Sequence, residues 1–457
     1  MSNGTNLRDA IDYYHSLLDD ENARASQFQL DNQQQRRGLF FGARPICTVL
    51  RPRFLTTVQY GYLRAAIHAV MPAFQKAYDA ALVNSQVRDQ FKLADWEQAL
   101  IQIDPGFRAP SPSSRMDSFF ITEGERSGTL KFTEYNAEIP AAPAYNEALT
   151  EIFYTLPIMR EFEKKYEVTK LAARHHMLHA LLNSYREWGG RERPRIAILD
   201  WREVPTYSEF VLFKQYFDSQ GYDCIIADPR DCEYAGGRLM VGDFHVTLIY
   251  KRVLITELIE RGGMDHPVVR AVRDHAACMV NSFRCKILHR KTSLAVLSDE
   301  QNSRLFTPAE RDAAHRYIPC TRLVAERQTE VDGAAVDLVA WMQDNKDRLV
   351  LKPADEYGGK GIVLGWTVEQ GTWESAIADA LQSPTIVQER VELPREDFPA
   401  LLNNSLNIYS SMLDTDPYIW YGDYMSGCLT RISTAALLNV TAGGGSTVPT
   451  YVIERRD

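Results

Sequence analysis

Residues 349 to 366 read "LVLKPADEYGGKGIVLGW". Lys352 closes an apolar run, Asp355 and Glu356 follow, and Gly358, Gly359, Lys360 and Gly361 precede a second apolar run. Glycines in such a turn permit positive φ and close backbone approach. Their N–H groups can cradle a phosphate, and Lys352 would add a fixed positive charge. A β-hairpin with a glycine-rich turn is the competing reading of the same residues. The pattern G-x-x-x-x-G-K-[ST] is absent and a strand rather than a helix follows, which excludes a P-loop and a dinucleotide fingerprint. Some 25 residues on, "TIVQERVELP" reads as a strand with alternating polar groups that stops at Pro394, a segment able to line a purine.

A second group of residues lies far upstream. In "FTEYNAE", Glu134 and Asn136 are two apart and share one face of a strand. With Asp117 of "SRMDSFF" they offer the hard oxygen donors that Mg2+ takes. Two carboxylates ~4 Å apart repel by about 4 kcal/mol at an effective dielectric near 20, and a divalent cation reverses that sign. A polar, solvated strand face is the alternative.

These residues need strands and turns to present them. "QYGYLRAAIHAVMPAFQKAYDAALVN" has the apolar spacing of an amphipathic helix, and the Gln- and Asn-rich first 40 residues read as peripheral helix. "RMDSFFITE" and "TLKFTEYNAEI" read as strands, and "VTKLAARHHMLHALLNSYREWGG" as a helix closed by Gly189-Gly190. From about 191 to 280 strand and helix alternate: "RPRIAILDW", "SEFVLFKQYFDSQGY" and "DCIIADP" lead to two strands in "GRLMVGDFHVTLIYKR". That alternation predicts a doubly wound α/β unit. Helix "KTSLAVLSDE", strands "RLVLKPA" and "GIVLGW", helix "TWESAIADAL" and strand "TIVQERV" follow, then mixed strands to "NVTAGGGSTVPTYVIERRD".

The 457 residues suffice for two or three domains, and 45% hydrophobic with 24% charged residues is a globular composition. The formal net charge of -9 argues against a generic nucleic-acid binder. No apolar run of about 18 residues occurs, so no membrane span is expected. The polar N-terminus lacks a signal-peptide core, and seven cysteines without a CxxC pair read as reduced thiols, which together predict a cytoplasmic protein. "RHHMLH" sets His175 and His179 four apart without an HExxH context, a helix face rather than a metal pair. Asp414 and Asp416 in "LDTDPY" read as turn residues. Cys285, between Arg284 and Lys286, reads as a structural thiol.

The order "KPADEYGGKGI" then "IVQERV" is that of an ATP-grasp core. With "SRMDSFF", "KFTEYNAEIP", "LIYKR", "HRKTSLAVLSD" and "LTRISTAALLNVTAGGGS", the chain from about 45 to 457 resembles circularly permuted ATP-grasp enzymes such as eukaryotic glutathione synthetase and the synthetase domain of glutathionylspermidine synthetase. The resemblance implies a mixed α/β ATP-grasp fold. Residues 1-190 would carry N-terminal helices and the metal-ligand strands, 191-285 an inserted Rossmann-like substrate unit, and 286-457 the nucleotide part with two glycine-rich loops.

Carried over by position, Lys291 and Lys352 would hold ATP phosphates, beneath a loop of Gly358, Gly359, Lys360 and Gly361. Gln388, Glu389, Arg390 and Val391 would meet adenine, and Gly443, Gly444 and Gly445 would form a second mobile loop. Asp117, Glu134, Asn136 and Glu356 would hold two Mg2+ ions. Arg115, Lys352 and Arg431 would act on the transferred phosphoryl group, and Arg115, Arg252 and Glu209 would contact substrate. The implied reaction is ATP- and Mg2+-dependent amide formation between a small-molecule carboxylate and an amine through an acyl phosphate, by a homodimer. A kinase acting on a hydroxyl and a non-catalytic nucleotide-binding module are the rival readings. Ile139, Ala141 and Ala142 in "AEIPAAPAY" replace a hydroxyl-bearing segment of the glutathione-making enzymes, so the chemistry carries over better than the substrate.

Overall fold

Thr56 and Gln59 cap each other, side chain to backbone in both directions, and so start the helix Thr57–Val83. That helix turns Leu63, Ile67, Val70 and Phe74 into the core, as their three- and four-residue spacing requires. The computed structural model describes residues 5–42, 44–356, 359–403, 405–434 and 445–456.

Two antiparallel sheets supply the surfaces that matter. The larger runs Arg395–Leu402, Ser405–Leu413, Tyr424–Ser433, Asp416–Trp420, Ser113–Phe120, Leu130–Asn136, with Gly445–Val448 also paired to Tyr424–Ser433. The smaller runs Thr321–Leu323, Thr385–Glu389, Leu349–Pro353, Val363–Leu364. The sequence between 191 and 285 contains a four-stranded parallel sheet in the order Cys224–Ala227, Ile196–Leu199, Leu248–Lys251, Cys278–Val280. Its strand order reverses between Ile196–Leu199 and Leu248–Lys251, the place where such sheets open a crevice at their carboxyl ends.

Three expectations change. "VTKLAARHHMLHALLNSYREWGG" is not one helix: Tyr166–Lys170 is a strand paired with the distant Thr450–Arg455, and the helix is Arg174–Glu187. A partner nearly 300 positions away overrides local pattern there. "GRLMVGDFHVTLIYKR" forms three strands, Arg238–Val241, Phe244–Val246 and Leu248–Lys251. The N-terminal helices Leu7–Ser16 and Asp20–Arg37 are not merely peripheral, because Leu7, Ile11, Tyr14 and Leu30 enter the largest core cluster. The Tyr14 hydroxyl donates to Leu50 O at 2.8 Å from within that core.

Candidate functional site

The strands Ser113–Phe120 and Leu130–Asn136 divide their faces by alternation. Met116, Phe120, Leu130, Phe132 and Tyr135 point into an apolar cluster. On the opposite face, Arg115 lies across from Asn136 and Asp117 from Glu134. The register then shifts: Ser118 faces Phe132 and Phe119 faces Lys131, leaving Thr133 as the extra residue of a bulge. The bulge keeps Lys131 on the same face as Glu134 although the two are three apart.

Asp117 is ringed by donors. Arg115 grips it twice, Nε to Oδ1 at 2.8 Å and Nη2 to Oδ2 at 3.2 Å. Asn136 Nδ2 donates to Oδ1 at 2.8 Å, and Arg431 Nη2 to Oδ2 at 2.7 Å. Burial works to raise the Asp117 pKa, but Arg115 and Arg431 outweigh it and hold the carboxyl well below the usual range. Glu134 is likewise kept low against burial, by Lys291, whose Nζ is 3.1 Å from Glu134 Oε1. Lys291 Nζ also donates to the Glu356 carbonyl oxygen at 2.6 Å.

Lys352 extends from the smaller sheet toward the larger one. Its Nζ donates to Gln388 Oε1 at 2.7 Å and to Thr133 O at 3.3 Å. Burial pushes its pKa down to about 8, with Glu134 pulling the other way. Leu349–Pro353 and Val363–Leu364 form an antiparallel hairpin, and Gly359 and Gly361 in its turn have φ of 80° and 71°. A Cβ on Gly361 would lie 2.8 Å from Pro353 Cγ, so glycine is needed for space as well as for φ. The stretch is thus a β-hairpin with a glycine-rich turn. A small cavity of about 20 Å³ opens between Glu134, Lys291, Glu356, Gly359 and Lys360. A depression of about 700 Å³ lies between Phe119, Lys131, Arg316, Glu389, Arg390 and Val391.

The structure thus brings Arg115, Asp117, Glu134, Asn136, Lys291, Lys352 and Arg431 together, with Glu356 and Lys360 at the edge. Gln388 is buried beneath Lys352, its Nε2 donating to Thr321 Oγ1 at 3.0 Å. The strand ends at Glu389, and the Arg390 guanidinium stacks on Trp366 at 4.3 Å. Gly445 begins the strand Gly445–Val448, whereas Gly358, Gly443 and Gly444 lie outside the described residues.

Arg252 and Glu209 stand elsewhere. They form a buried pair, Nη2 to Oε2 at 3.3 Å, at the carboxyl end of the parallel sheet. Arg252 Nη1 donates to Pro140 O at 2.7 Å, and Ala144 N donates to Glu209 Oε1 at 3.1 Å. Both side chains are buried, and they bond the backbone of the chain's own 140–145 segment. From the other side Arg115 Nη1 donates to Ala141 O at 3.0 Å. Ala142 takes φ of 82° between these anchors, a conformation that costs a non-glycine residue about 1 kcal/mol.

Asp414 and Asp416, read from sequence as turn residues, belong to the site. Asp416 opens the strand Asp416–Trp420, and both carboxylates hold Arg431. Their two-residue spacing beside a strand was the available signal. Cys285 is buried, and burial raises its thiol to about 12. His175 and His179 are exposed with ring centroids 4.3 Å apart.

Oxygen donors of the type Mg2+ prefers are present in Asp117, Glu134 and Asn136. Yet among the described residues no group of three or more His, Cys, Asp or Glu stands ready for a metal ion, and Asp117 and Glu134 are each paired with a protein cation. Among the same residues no helix is long and apolar enough to cross a membrane.

Comparison with solved structures assigns the fold. A glutathione synthetase-like effector from Globodera pallida, in its apo form, superposes with a TM-score of 0.62 at 13% identity, covering 94% of this chain and 96% of that one. A protein provisionally described as a gamma-glutamylcysteine synthetase from Methylobacillus flagellatus matches at a TM-score of 0.44 and 11% identity, over 84% of this chain and 88% of that one. No family model matches the chain, and no curated protein matches it by sequence. The likeness to the first of these structures gives the chain a mixed α/β, glutathione synthetase-like fold.

Proposed function

We propose that the protein is an ATP- and Mg2+-dependent carboxylate–amine ligase of the permuted ATP-grasp type. The observation that carries this reading is the placement of Lys291, Lys352 and the glycine hairpin against the Asp117–Glu134 face of the other sheet. Lys291 and Lys352 are suited to polyphosphate oxygens. Asp117, Glu134 and Asn136 are suited to a divalent cation, and the depression beside Glu389 to Val391 is suited to a base. Bound Mg2+–ATP supplies a γ-phosphoryl group that activates a carboxylate for attack by an amine. Arg115, fixed between Asp117 and Ala141 O, would be the donor for charge developing on that group, and such preorganised donors account for much of the catalysis in phosphoryl transfer.

The similarity in fold to a protein named for glutathione synthetase favours a ligase over a kinase. Ile139 and Ala141, half-buried beside Asn136, present no hydroxyl to a substrate, so the acid need not be a glutathione precursor. The test is ATP turnover with pooled amino acids, amines and short peptides, followed by mass spectrometry of the products. A new amide, with hydroxamate formed when hydroxylamine replaces the amine, is the expected result. ADP formation accompanied only by a phosphorylated hydroxyl compound would overturn the ligase in favour of a kinase.

A further inference from the structure

Three carboxylates close around one guanidinium. Arg431 Nη2 lies 2.7 Å from Asp117 Oδ2 and 3.0 Å from Asp416 Oδ2, while Nε lies 2.6 Å from Asp414 Oδ2. Asp414 also holds the backbone of the same residue: Arg431 N donates to Asp414 Oδ1 at 2.6 Å, and Asp414 N donates to Arg431 O at 3.1 Å. Asp416 is fixed in turn by Ser118 N, which donates to its Oδ1 at 3.0 Å at the bulge beside Asp117. The side chains of Asp414 and Asp416 are 1% and 0% exposed, but that of Arg431 retains 22%. The seat is buried and its occupant is open on one side.

Both oxygens of Asp117 already accept hydrogen bonds: Oδ1 from Arg115 and Asn136, Oδ2 from Arg115 and Arg431. A cation on Oδ2 competes there with Arg115 and Arg431, which fill its two lone pairs, so one of the two must withdraw. Arg115 is anchored on its other arm by Ala141 O at 3.0 Å. Arg431 can release Asp117 and remain paired with Asp414. A polyphosphate, with several charged oxygens, is a strong partner for a planar guanidinium.

We propose that Asp414 and Asp416 are positioning residues that seat Arg431 across Asp117, so that Asp117 accepts a divalent cation only after a polyphosphate has drawn the guanidinium away. This rests on the nucleotide-and-metal reading of the site. It makes metal and polyphosphate binding positively coupled, and equally so in both directions.

The test uses the full chain and Mn2+ as the probe, followed by the electron paramagnetic resonance of free Mn2+ and needing no turnover. Without nucleotide, wild type should bind Mn2+ weakly and Arg431→Met at least about tenfold more tightly, a shift within the usual range of coupling. The gain should persist in Arg431→Met/Asp414→Asn and disappear in Arg431→Met/Asp117→Asn. Equal affinity of wild type and Arg431→Met, or a gain that survives loss of Asp117, overturns the proposal; the second result would mean that Asp414 and Asp416 had become a metal site of their own. A separate titration of wild type with Mn2+ and a non-hydrolysable ATP analogue tests the underlying reading. If the two do not bind together, the nucleotide reading falls and takes this inference with it; if they bind while Arg431→Met matches wild type, only the inference falls. Thermal melts of each variant establish that it is folded.

Discussion

Two lysines, Lys286 buried and Lys352 half-buried, show how differently this chain uses positive charge. Lys286 lies in a closed network, its Nζ 2.8 Å from Asp355, 3.4 Å from Glu97 and 3.5 Å from Glu138. Burial disfavours its charge, but those carboxylates outweigh burial and keep its pKa above the ordinary lysine range. Lys251 and Arg290 complete the network, and Glu138 and Glu97 have no exposed surface. Lys352 is given two neutral acceptors, Gln388 Oε1 and Thr133 O, and burial lowers it to about 8. A lysine saturated with carboxylates is scaffold, because an arriving anion gains little from it. One held by neutral oxygens keeps a field that an anion can use. Glu134 and Glu138, four residues apart, mark the boundary between the two regimes.

The comparison breaks first at Lys286. Lys286→Met leaves Asp355, Glu97 and Glu138 short of a counter-charge in the interior, and losing one partner of a buried ionic network costs about 3–5 kcal/mol. The urea midpoint should fall accordingly, or the variant should fail to accumulate. A loss under about 1 kcal/mol would mean that the network is hydrated and the contrast false.

Lys352→Met should do the reverse. Nucleotide turnover should fall by about 10²–10³, the size expected for loss of one preorganised electrostatic donor, while the urea midpoint near neutral pH should not drop. Comparable losses of stability in both variants would remove the distinction.

A titration sharpens the same point. The folded-state pKa of Lys352, about 8, lies below its ordinary 10.5, so between those values the unfolded chain binds the more protons. Stability contributed through this group therefore rises with pH across that window, and below about 8 the penalty of holding the charged lysine is fully present. Lys352→Met should flatten that rise in urea titrations. Nucleotide binding favours the protonated form, so above about pH 8 calorimetry in buffers of different ionisation enthalpy should show proton uptake on binding, absent from Lys352→Met. Uptake unchanged in the variant would assign the proton to another group.

Much of this site follows from local pattern. Alternation in "FTEYNAE" puts Glu134 and Asn136 on one face, and the glycines after Lys352 announce a turn between strands. What local pattern lacks is pairing. The bulge at Thr133, which returns Lys131 to the site face, exists only through its register with Ser113–Phe120. Asp414 and Asp416 have turn-like neighbours, and their role depends on Arg431 and on Ser118, which is 298 positions away. The strand Tyr166–Lys170 is hidden for the same reason, since its partner is the final strand of the chain. Arg252 and Glu209 pose a different problem. Their residue types suit substrate contact, and only the folded chain shows that both are buried and bond the backbone of 140–145.

The smallest effect belongs to Lys360, at the open end of the comparison. Its Nζ is 3.4 Å from Glu356 Oε1, and the two side chains are 77% and 38% exposed. Water screens such a pair, so Lys360→Ala should change stability by no more than about 0.5 kcal/mol. Any contribution to nucleotide binding is that of an exposed surface charge on the hairpin turn: a few-fold loss at low salt that fades as ionic strength rises and the Debye length falls below about 8 Å. The Lys352→Met defect should persist better under the same salt, because Lys352 is half-buried where Lys360 is exposed and so is screened less. If the two defects decline with salt in parallel, Lys352 is as solvated as Lys360, and the division between retained and available charge loses its physical basis.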